Sequence, residues 1–164
     1  TADSKLEGES TSVDISVLIG QYAHGNEPSH HIAHLYNYVG QPWRTQEIVD
    51  EVLHTLYFNN PDGLSGNEDC GQMSAWYILN AMGFYQVCPG KPVYSIGRPL
   101  FNEATVHLKD GKSFKVIAHN NSRDNKYVRS IVLNGNKLET PFFTHQDIVD
   151  GGTLELTMGS EPLK

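Results

Sequence analysis

Acidic and histidine side chains are concentrated in two segments of this 164-residue chain, residues 22–31 (YAHGNEPSHH) and 62–72 (DGLSGNEDCGQ). Each segment precedes a predicted helix, where free backbone N–H groups and a partial positive charge favour an ionised carboxylate. In the first segment, Glu27 could bind a cation or a sugar hydroxyl. The alternative is that Asn26 or Glu27 only caps the helix.

The second segment combines carboxylates with a flexible backbone. Three glycines within nine residues allow the backbone to approach a ligand closely. Glu68 and Asp69 are adjacent and therefore point in different directions, so one could be a general base and the other a ligand for a cation or a hydroxyl. A capped acidic loop without chemistry is the alternative.

The histidines raise the possibility of zinc. His30 and His34 are four residues apart, so on a helix they would share one face, as zinc ligands do. His31 stands where the metalloprotease motif has glutamate, and the sequence has no cysteine pair at ligand spacing. Packing or pocket-lining roles are therefore favoured for His30, His31 and His34.

The tryptophans and cysteines indicate mostly structural roles. Trp43 and Trp76 lie at helical positions typical of a core, and sugar stacking is a second interpretation for Trp43. Cys70 and Cys88 flank a predicted helix of about 16 Å, so both are expected to be free thiols. Residues 120–122 (NNS) match the N-glycosylation acceptor pattern.

Composition excludes several classes of function. Twelve Lys and Arg against 19 Asp and Glu give a formal charge of −7, which argues against nucleic acid or an anionic membrane as partner. No apolar run approaches the roughly 18 residues of a membrane-spanning helix. An apolar fraction of 38%, with 15 glycines in addition, indicates a folded chain of one domain or two small ones.

Hydrophobic periodicity is helical before residue 90 and alternates after it. The predicted helices cover residues 30–39, 42–57 and 72–82, with Gly40 and Gly83 ending the first and third. The predicted strands cover residues 93–96, 105–109, 114–118, 128–133 and 153–157. Two dipeptides, Asp110-Gly111 and Asn134-Gly135, are typical of tight hairpin turns.

These elements divide the chain into a polar segment (residues 1–12), a helical part (13–90) and a small antiparallel β module (91–164). Three helices cannot bury their apolar faces against one another completely, so we expect residues 13–86 to belong to a larger helical assembly. A complete three-helix domain is the alternative. The chain begins without Met and ends without a capping element, which indicates a piece of a longer protein.

Long segments of the sequence resemble glycoside hydrolase family 92, the calcium-dependent exo-α-mannosidases. The resemblance extends from about residue 5 to 164. It rests on residues 19–31 (IGQYAHGNEPSHH), 35–38 with 41–43, and 66–77 (GNEDCGQMSAWY) with 82–85, and further on 94–99, 120–122 and 158–159.

The resemblance implies a fold and a reaction. Family members have an N-terminal β-sandwich and a catalytic (α/α)6 toroid, so this α+β chain would be the closing helices of that toroid followed by the antiparallel β module. They remove terminal α-mannose with inversion, and a calcium ion contacts the mannose hydroxyls. The implied substrates are α-mannoside glycans, as in N-glycan degradation, and the implied location is periplasmic or secreted.

The resemblance also implies roles for individual residues. Asp69 is the predicted base, with Glu68 beside it and Asn67 at a position where many members have aspartate. Asn26 and Glu27 map onto the segment that lines the mannose and calcium site, and His24 and His30 are further candidates for that pocket.

No segment of this chain matches the surroundings of the family's general acid. The chain is therefore expected to need the N-terminal region of a parent enzyme, and to be inactive alone. Two other interpretations remain: a non-catalytic carbohydrate-binding or structural module, and a zinc-dependent hydrolase that uses His30 and His34.

Overall fold

The computed structural model describes residues 18–163. The predicted polar segment at residues 1–12 lies outside the described residues. The short strands β1 (Leu18–Ile19) and β2 (Tyr22–Ala23) pair antiparallel ahead of the helices. The helices are α1 (Leu35–Tyr38), α2 (Pro42–Thr55), α3 (Gln72–Met82) and, within the β half, α4 (His145–Val149). None of the described helices has the length and apolar character needed to cross a membrane.

The prediction of one helix over residues 30–39 is wrong. The backbone instead makes 3-10 turns at Glu27–Ser29 and Ile32–His34 and becomes α-helical only in α1. Trp76 Nε1 donates a hydrogen bond to the His30 carbonyl, which in an α-helix would accept from the amide of His34. The His34 amide bonds the His31 carbonyl instead, at 3.0 Å.

The other two helices are confirmed. α2 begins at Pro42 as predicted, ends two residues earlier than predicted, and buries Val49, Val52 and Leu53. α3 has the predicted bounds, and Gly83 follows it with φ +103°, the left-handed conformation that glycine adopts without strain.

The strands form two further sheets. One has five strands in the order β5-β6-β10-β7-β8, and the other three in the order β3-β4-β9. The strands are β3 (Phe84–Tyr85), β4 (Val93–Ile96), β5 (Glu103–His107), β6 (Ser113–His119), β7 (Tyr127–Leu133), β8 (Asn136–Lys137), β9 (Phe142–Thr144) and β10 (Gly152–Gly159). Both predicted hairpins are present, and their turn residues 110–111 and 134–135 all have positive φ.

Antiparallel pairing is confirmed for every described strand pair except one. β10 lies between β6 and β7 and pairs parallel with β6, from Gly152 opposite Phe114 to Thr157 opposite His119. A parallel pair needs a crossover connection, and here the chain between β6 and β10 contains β7 to β9 and α4. The five-stranded sheet is therefore mixed.

The helical and β parts pack against each other around α3 and α2. Leu79 and Met82 of α3 pack against the core cluster of the β part, while Trp76 on the same helix belongs to the core of the helical part. Asp50 of α2 forms an ion pair with the buried Arg98, with 2.9 Å between Oδ1 and Nε. The chain around residue 90 therefore joins two parts that share an interface.

Candidate functional site

The two polar segments predicted to carry chemistry are in direct contact. Gly66 has φ +69°, and a Cβ there would overlap the carbonyl oxygen of Gly25 and lie 2.9 Å from its Cα. The absence of a side chain thus lets the backbone of residues 62–72 lie against that of residues 22–31. One site could therefore contain side chains from both segments. We call this contact between residues 22–31 and 62–72 the junction.

His24 lies beneath this junction and is fully buried. Its Nδ1 is 2.9 Å from the Tyr22 hydroxyl and its Nε2 is 2.7 Å from the Tyr57 hydroxyl. The ring stacks on His30, with 4.8 Å between centroids, and meets the Trp76 ring edge-on at 4.3 Å. Burial lowers the pKa of His24 to about 3, so the ring is neutral at physiological pH. In this structure both ring nitrogens of His24 are hydrogen bonded to tyrosine hydroxyls, and its predicted role in the sugar pocket stays a prediction.

His30 connects the two segments through hydrogen bonds to His24 and to Gln72. It is 1% exposed, and its Nε2 donates to the His24 carbonyl at 3.0 Å. Its Nδ1 lies 3.1 Å from the side-chain amide of Gln72, the first residue of α3. Burial lowers the pKa of His30, which favours the neutral ring. His30 is also on the floor of a surface groove that Glu27 lines.

The zinc interpretation is wrong for the described residues. His34 is fully buried, with Nδ1 3.1 Å from Ser95 Oγ and Nε2 2.8 Å from Asn80 Oδ1. Both nitrogens of His30 are likewise taken by protein atoms. Residues 18–163 bring together no group of three His, Cys, Asp or Glu side chains that could hold a metal.

The segment that carries the predicted base forms a left-handed turn. Glu68, Asp69 and Cys70 have φ of 61°, 38° and 56°, and Gly71 follows with φ 92°. Non-glycine residues rarely adopt this conformation, and runs of it cluster at functional sites, where surrounding contacts hold them. The turn leads directly into α3, which begins at Gln72 as predicted.

Glu68 holds this turn onto the helix. Its carboxylate accepts hydrogen bonds from Ser74 Oγ at 2.9 Å and from the Ser74 amide at 3.3 Å, one of the free N–H groups in the first turn of α3. Asp69 and Asn67 are exposed, and the described residues give the Asp69 carboxylate no hydrogen-bond partner. Of the two adjacent carboxylates, Glu68 is therefore engaged with the protein and Asp69 faces solvent.

Glu27 and Asn26 lie at the other side of the junction. Glu27 lines a groove of about 390 Å³ together with His30, Gln72 and Tyr85. Its Oε1 is buried and has no hydrogen-bond partner among residues 18–163. A carboxylate oxygen in that position is the kind of hard donor that calcium takes, and the Asn26 amide oxygen is of the same kind. These residues fit part of a calcium site.

The remaining sequence predictions concern the tryptophans, the cysteines and Asn120. Trp76 is fully buried, as predicted, whereas Trp43 is partly exposed and lines a separate groove beside β7. Cys70 and Cys88 are free thiols, as expected. Asn120 is exposed in the loop that follows β6.

Sequence reasoning did not single out three residues that the junction uses. Tyr57 reaches His24 from α2's C-terminal end, and Gln72 and Tyr85 meet each other at 3.2 Å on the floor of the groove. Tyr57 and Tyr85 have the apolar spacing of core residues. Gln72 could have been noticed from its place at the start of a helix, next to the predicted acidic site.

The buried histidines predict a loss of stability in acid. Burial lowers the pKa of His24 to about 3 and that of His34 to about 4, against 6.5 in the unfolded chain. As pH falls below 6.5 the unfolded state binds protons that the folded state does not. The free energy of unfolding should therefore decrease between about pH 6.5 and 4.5, by at most about 1.4 kcal/mol per pH unit for each histidine.

Urea unfolding at several pH values, followed by circular dichroism, measures this dependence. The matched control is His107→Asn, because His107 is exposed on β5 and its removal should leave the slope unchanged. A flat free energy over this interval would show that these rings are not neutral in the folded state.

Comparison with known proteins identifies relatives of this chain among the glycoside hydrolases. The model of the glycosyl hydrolase family 92 catalytic domain matches residues 3–160. A protein of the fungus Arthroderma benhamiae described as an uncharacterized secreted glycosidase is 31% identical over 140 residues, which are 84% of this chain and 18% of that protein.

Two solved structures from Bacteroides thetaiotaomicron are similar as well. One is a family 92 α-mannosidase in complex with mannoimidazole, which is 45% identical, with a TM-score of 0.87 over 92% of this chain and 20% of its own. The other is an inverting family 92 mannosidase, which is 50% identical, with a TM-score of 0.81 over 87% of this chain and 19% of its own. This chain thus spans about a fifth of the length of these relatives.

Proposed function

Since this chain belongs to glycosyl hydrolase family 92, we propose that it is the C-terminal part of an inverting, calcium-dependent exo-α-mannosidase. In this proposal the chain supplies the general base and part of the calcium and mannose site. The carrying observation is the contact between residues 22–31 and 62–72, made where Gly66 lies on Gly25. This contact brings the segment that carries the solvent-facing Asp69 against the segment that carries Glu27, which supports a shared site.

Asp69 acts as the base in the proposed reaction. It takes a proton from a water molecule whose oxygen bonds to the anomeric carbon while the bond from that carbon to the leaving oxygen breaks. A carboxylic acid on the opposite face gives its proton to the leaving oxygen, and in inverting enzymes the two carboxyl groups are about 6.5–9.5 Å apart. We expect that acid from a part of the enzyme outside these 164 residues.

The other residues of the turn and the groove position Asp69 and the sugar. Glu68 holds the left-handed turn against Ser74, so the Asp69 carboxylate is presented to solvent without a competing partner. Glu27, with Asn26, would hold calcium through side-chain oxygens. When bound, the ion supplies positive charge that binds and orients the sugar hydroxyls.

Calcium dependence gives a test of Glu27. In the intact enzyme, EDTA should abolish mannose release and calcium should restore it. Glu27→Gln removes a charged oxygen donor and should raise the calcium concentration that restores half of the activity by at least about tenfold. Glu51→Gln is the matched control, since Glu51 is exposed on α2. An unchanged calcium requirement in Glu27→Gln would show that Glu27 is not a ligand.

Mannose release from an α-mannobiose tests whether the general acid lies outside this chain. The isolated chain, once circular dichroism shows it to be folded, should give no turnover with or without calcium, because loss of the acid alone costs about 10²–10⁴-fold. The intact enzyme should hydrolyse the same substrate. Turnover by the isolated chain would place the acid within residues 1–164 and make Glu27 the candidate for it.

The natural substrates in this proposal are glycans with terminal α-mannose, including N-glycans undergoing degradation. We also propose a secreted or periplasmic location. The supporting observation is that the fungal relative is described as a secreted glycosidase.

A further inference from the structure

The orientation of the Gln72 amide follows from the hydrogen bonds of His30. The Nε2 atom of His30 faces the carbonyl oxygen of His24 at 3.0 Å. A carbonyl only accepts, so Nε2 carries the hydrogen, and in the neutral ring Nδ1 is then an acceptor. The Gln72 side chain, 3.1 Å from that Nδ1, must therefore present its NH₂ group to His30.

The two hydrogens of this NH₂ group have two partners. One goes to His30 Nδ1 and the other to the Tyr85 hydroxyl oxygen at 3.2 Å. The Gln72 Oε1 atom consequently points away from both, and it has no hydrogen-bond partner among the described residues. The hydroxyl of Tyr85 accepts from Gln72 and keeps its own hydrogen for another acceptor.

Both groups line the groove that Glu27 borders. The groove thus offers one acceptor, Gln72 Oε1, and one donor, the Tyr85 O–H, on neighbouring side chains. A sugar hydroxyl is itself both donor and acceptor, so it can satisfy both at once. Burial raises the pKa of Tyr85, which keeps its hydroxyl protonated.

We propose that Gln72 and Tyr85 form a hydroxyl-binding pair that contacts one hydroxyl of the mannoside substrate, with His30 and the His24 carbonyl fixing the direction of the Gln72 amide. This inference rests on the proposed function and adds two substrate-binding residues to it. Neither residue takes part in proton transfer. Because the pair binds one hydroxyl, it favours sugars that present a hydroxyl at that position beside Glu27.

Tyr85→Phe in the intact enzyme tests the pair, because it removes the donor and keeps the buried ring. On an unmodified α-mannoside, kcat/KM should fall by about three- to tenfold, the range for one neutral hydrogen bond. On the monodeoxy mannoside that lacks the contacted hydroxyl, the same substitution should change kcat/KM by less than about twofold. Tyr77→Phe is the control: Tyr77 is a half-buried tyrosine of α3 that packs against Tyr57 and does not line this groove, so the substitution should have no effect on either substrate.

Gln72→Met gives a second test. It leaves His30 Nδ1 without a donor as well as removing Oε1, so the loss on the unmodified substrate should exceed that of Tyr85→Phe. The same single deoxy analogue should be the least affected. Thermal unfolding of each variant separates a loss of binding from a loss of fold.

Two outcomes contradict the inference in distinguishable ways. If Tyr85→Phe lowers kcat/KM equally for every deoxy analogue, the hydroxyl contacts no sugar hydroxyl and the pair is overturned, while mannoside hydrolysis by the wild-type enzyme still supports the proposed function. If the wild-type enzyme releases no mannose from any α-mannoside, the proposed function fails, and the substrate assignment of the pair fails with it.

Discussion

Replacing Asp69 with Asn should lower kcat for α-mannoside hydrolysis in the intact enzyme by about 10²–10⁴-fold, the usual contribution of a positioned general base. The amide keeps the size and the left-handed backbone preference of the side chain but cannot take a proton from water. KM should change little, because the substitution removes an interaction with the attacking water in the transition state and not a contact with the bound sugar.

Asp62→Asn is the matched control for this experiment. Asp62 is an exposed carboxylate at the start of the same segment, so the substitution changes the net charge equally and should leave kcat unchanged. Equal activities of Asp69→Asn and the wild type would remove Asp69 from the mechanism. In that case Glu68 is the next candidate, although its carboxylate is hydrogen bonded to Ser74.

Gly66→Ala should strongly damage the contact between the two segments of the candidate site. The new Cβ would overlap the Gly25 carbonyl, and φ of +69° is strained for any residue with a side chain. We expect the free energy of unfolding to fall by at least about 2 kcal/mol. Mannosidase activity should fall even under conditions in which the variant remains folded, because the shifted backbone moves the segment of Asp69 relative to that of Glu27.

Gly40→Ala separates the two contributions. Gly40 has φ +72°, and a Cβ there would meet no atom within 4 Å, so this variant reports the backbone strain alone, about 1 kcal/mol. Urea unfolding of both variants gives the comparison. Equal losses of stability would mean that the two segments can move apart at no cost, which contradicts a rigid junction between them.

The sequence predicted best the elements whose signals are local. α3 has both predicted ends, because Gly83 stops it and the apolar spacing marks its length. The two hairpins followed from dipeptides that favour positive φ. The parallel pairing of β6 with β10 could not be predicted, because alternation identifies a strand without identifying its neighbour. The 3-10 turn at residues 32–34 depends on a hydrogen bond from Trp76, which is 46 residues away from His30.

The sequence predicted the two segments of the candidate site, and the roles of their individual side chains stay predictions. Residues 22–31 and 62–72 do meet, as a shared site requires. His24 and His30 are buried and hydrogen bonded to protein atoms, and sequence periodicity cannot predict that burial. The left-handed turn lacks a local signal as well, since Glu68 and Cys70 favour other conformations and tertiary contacts hold them there.

The central place of β10 has a consequence for synthesis of the protein. β6 and β7 leave the ribosome before residues 152–159, yet they are not neighbours in the sheet, because β10 separates them. Until β10 emerges, β6 and β7 each have an edge with unpaired N–H and C=O groups, a state that invites pairing with other chains. This sheet can therefore be completed only after residues 152–159 have been synthesised, and β6 and β7 are most exposed to aggregation before that point.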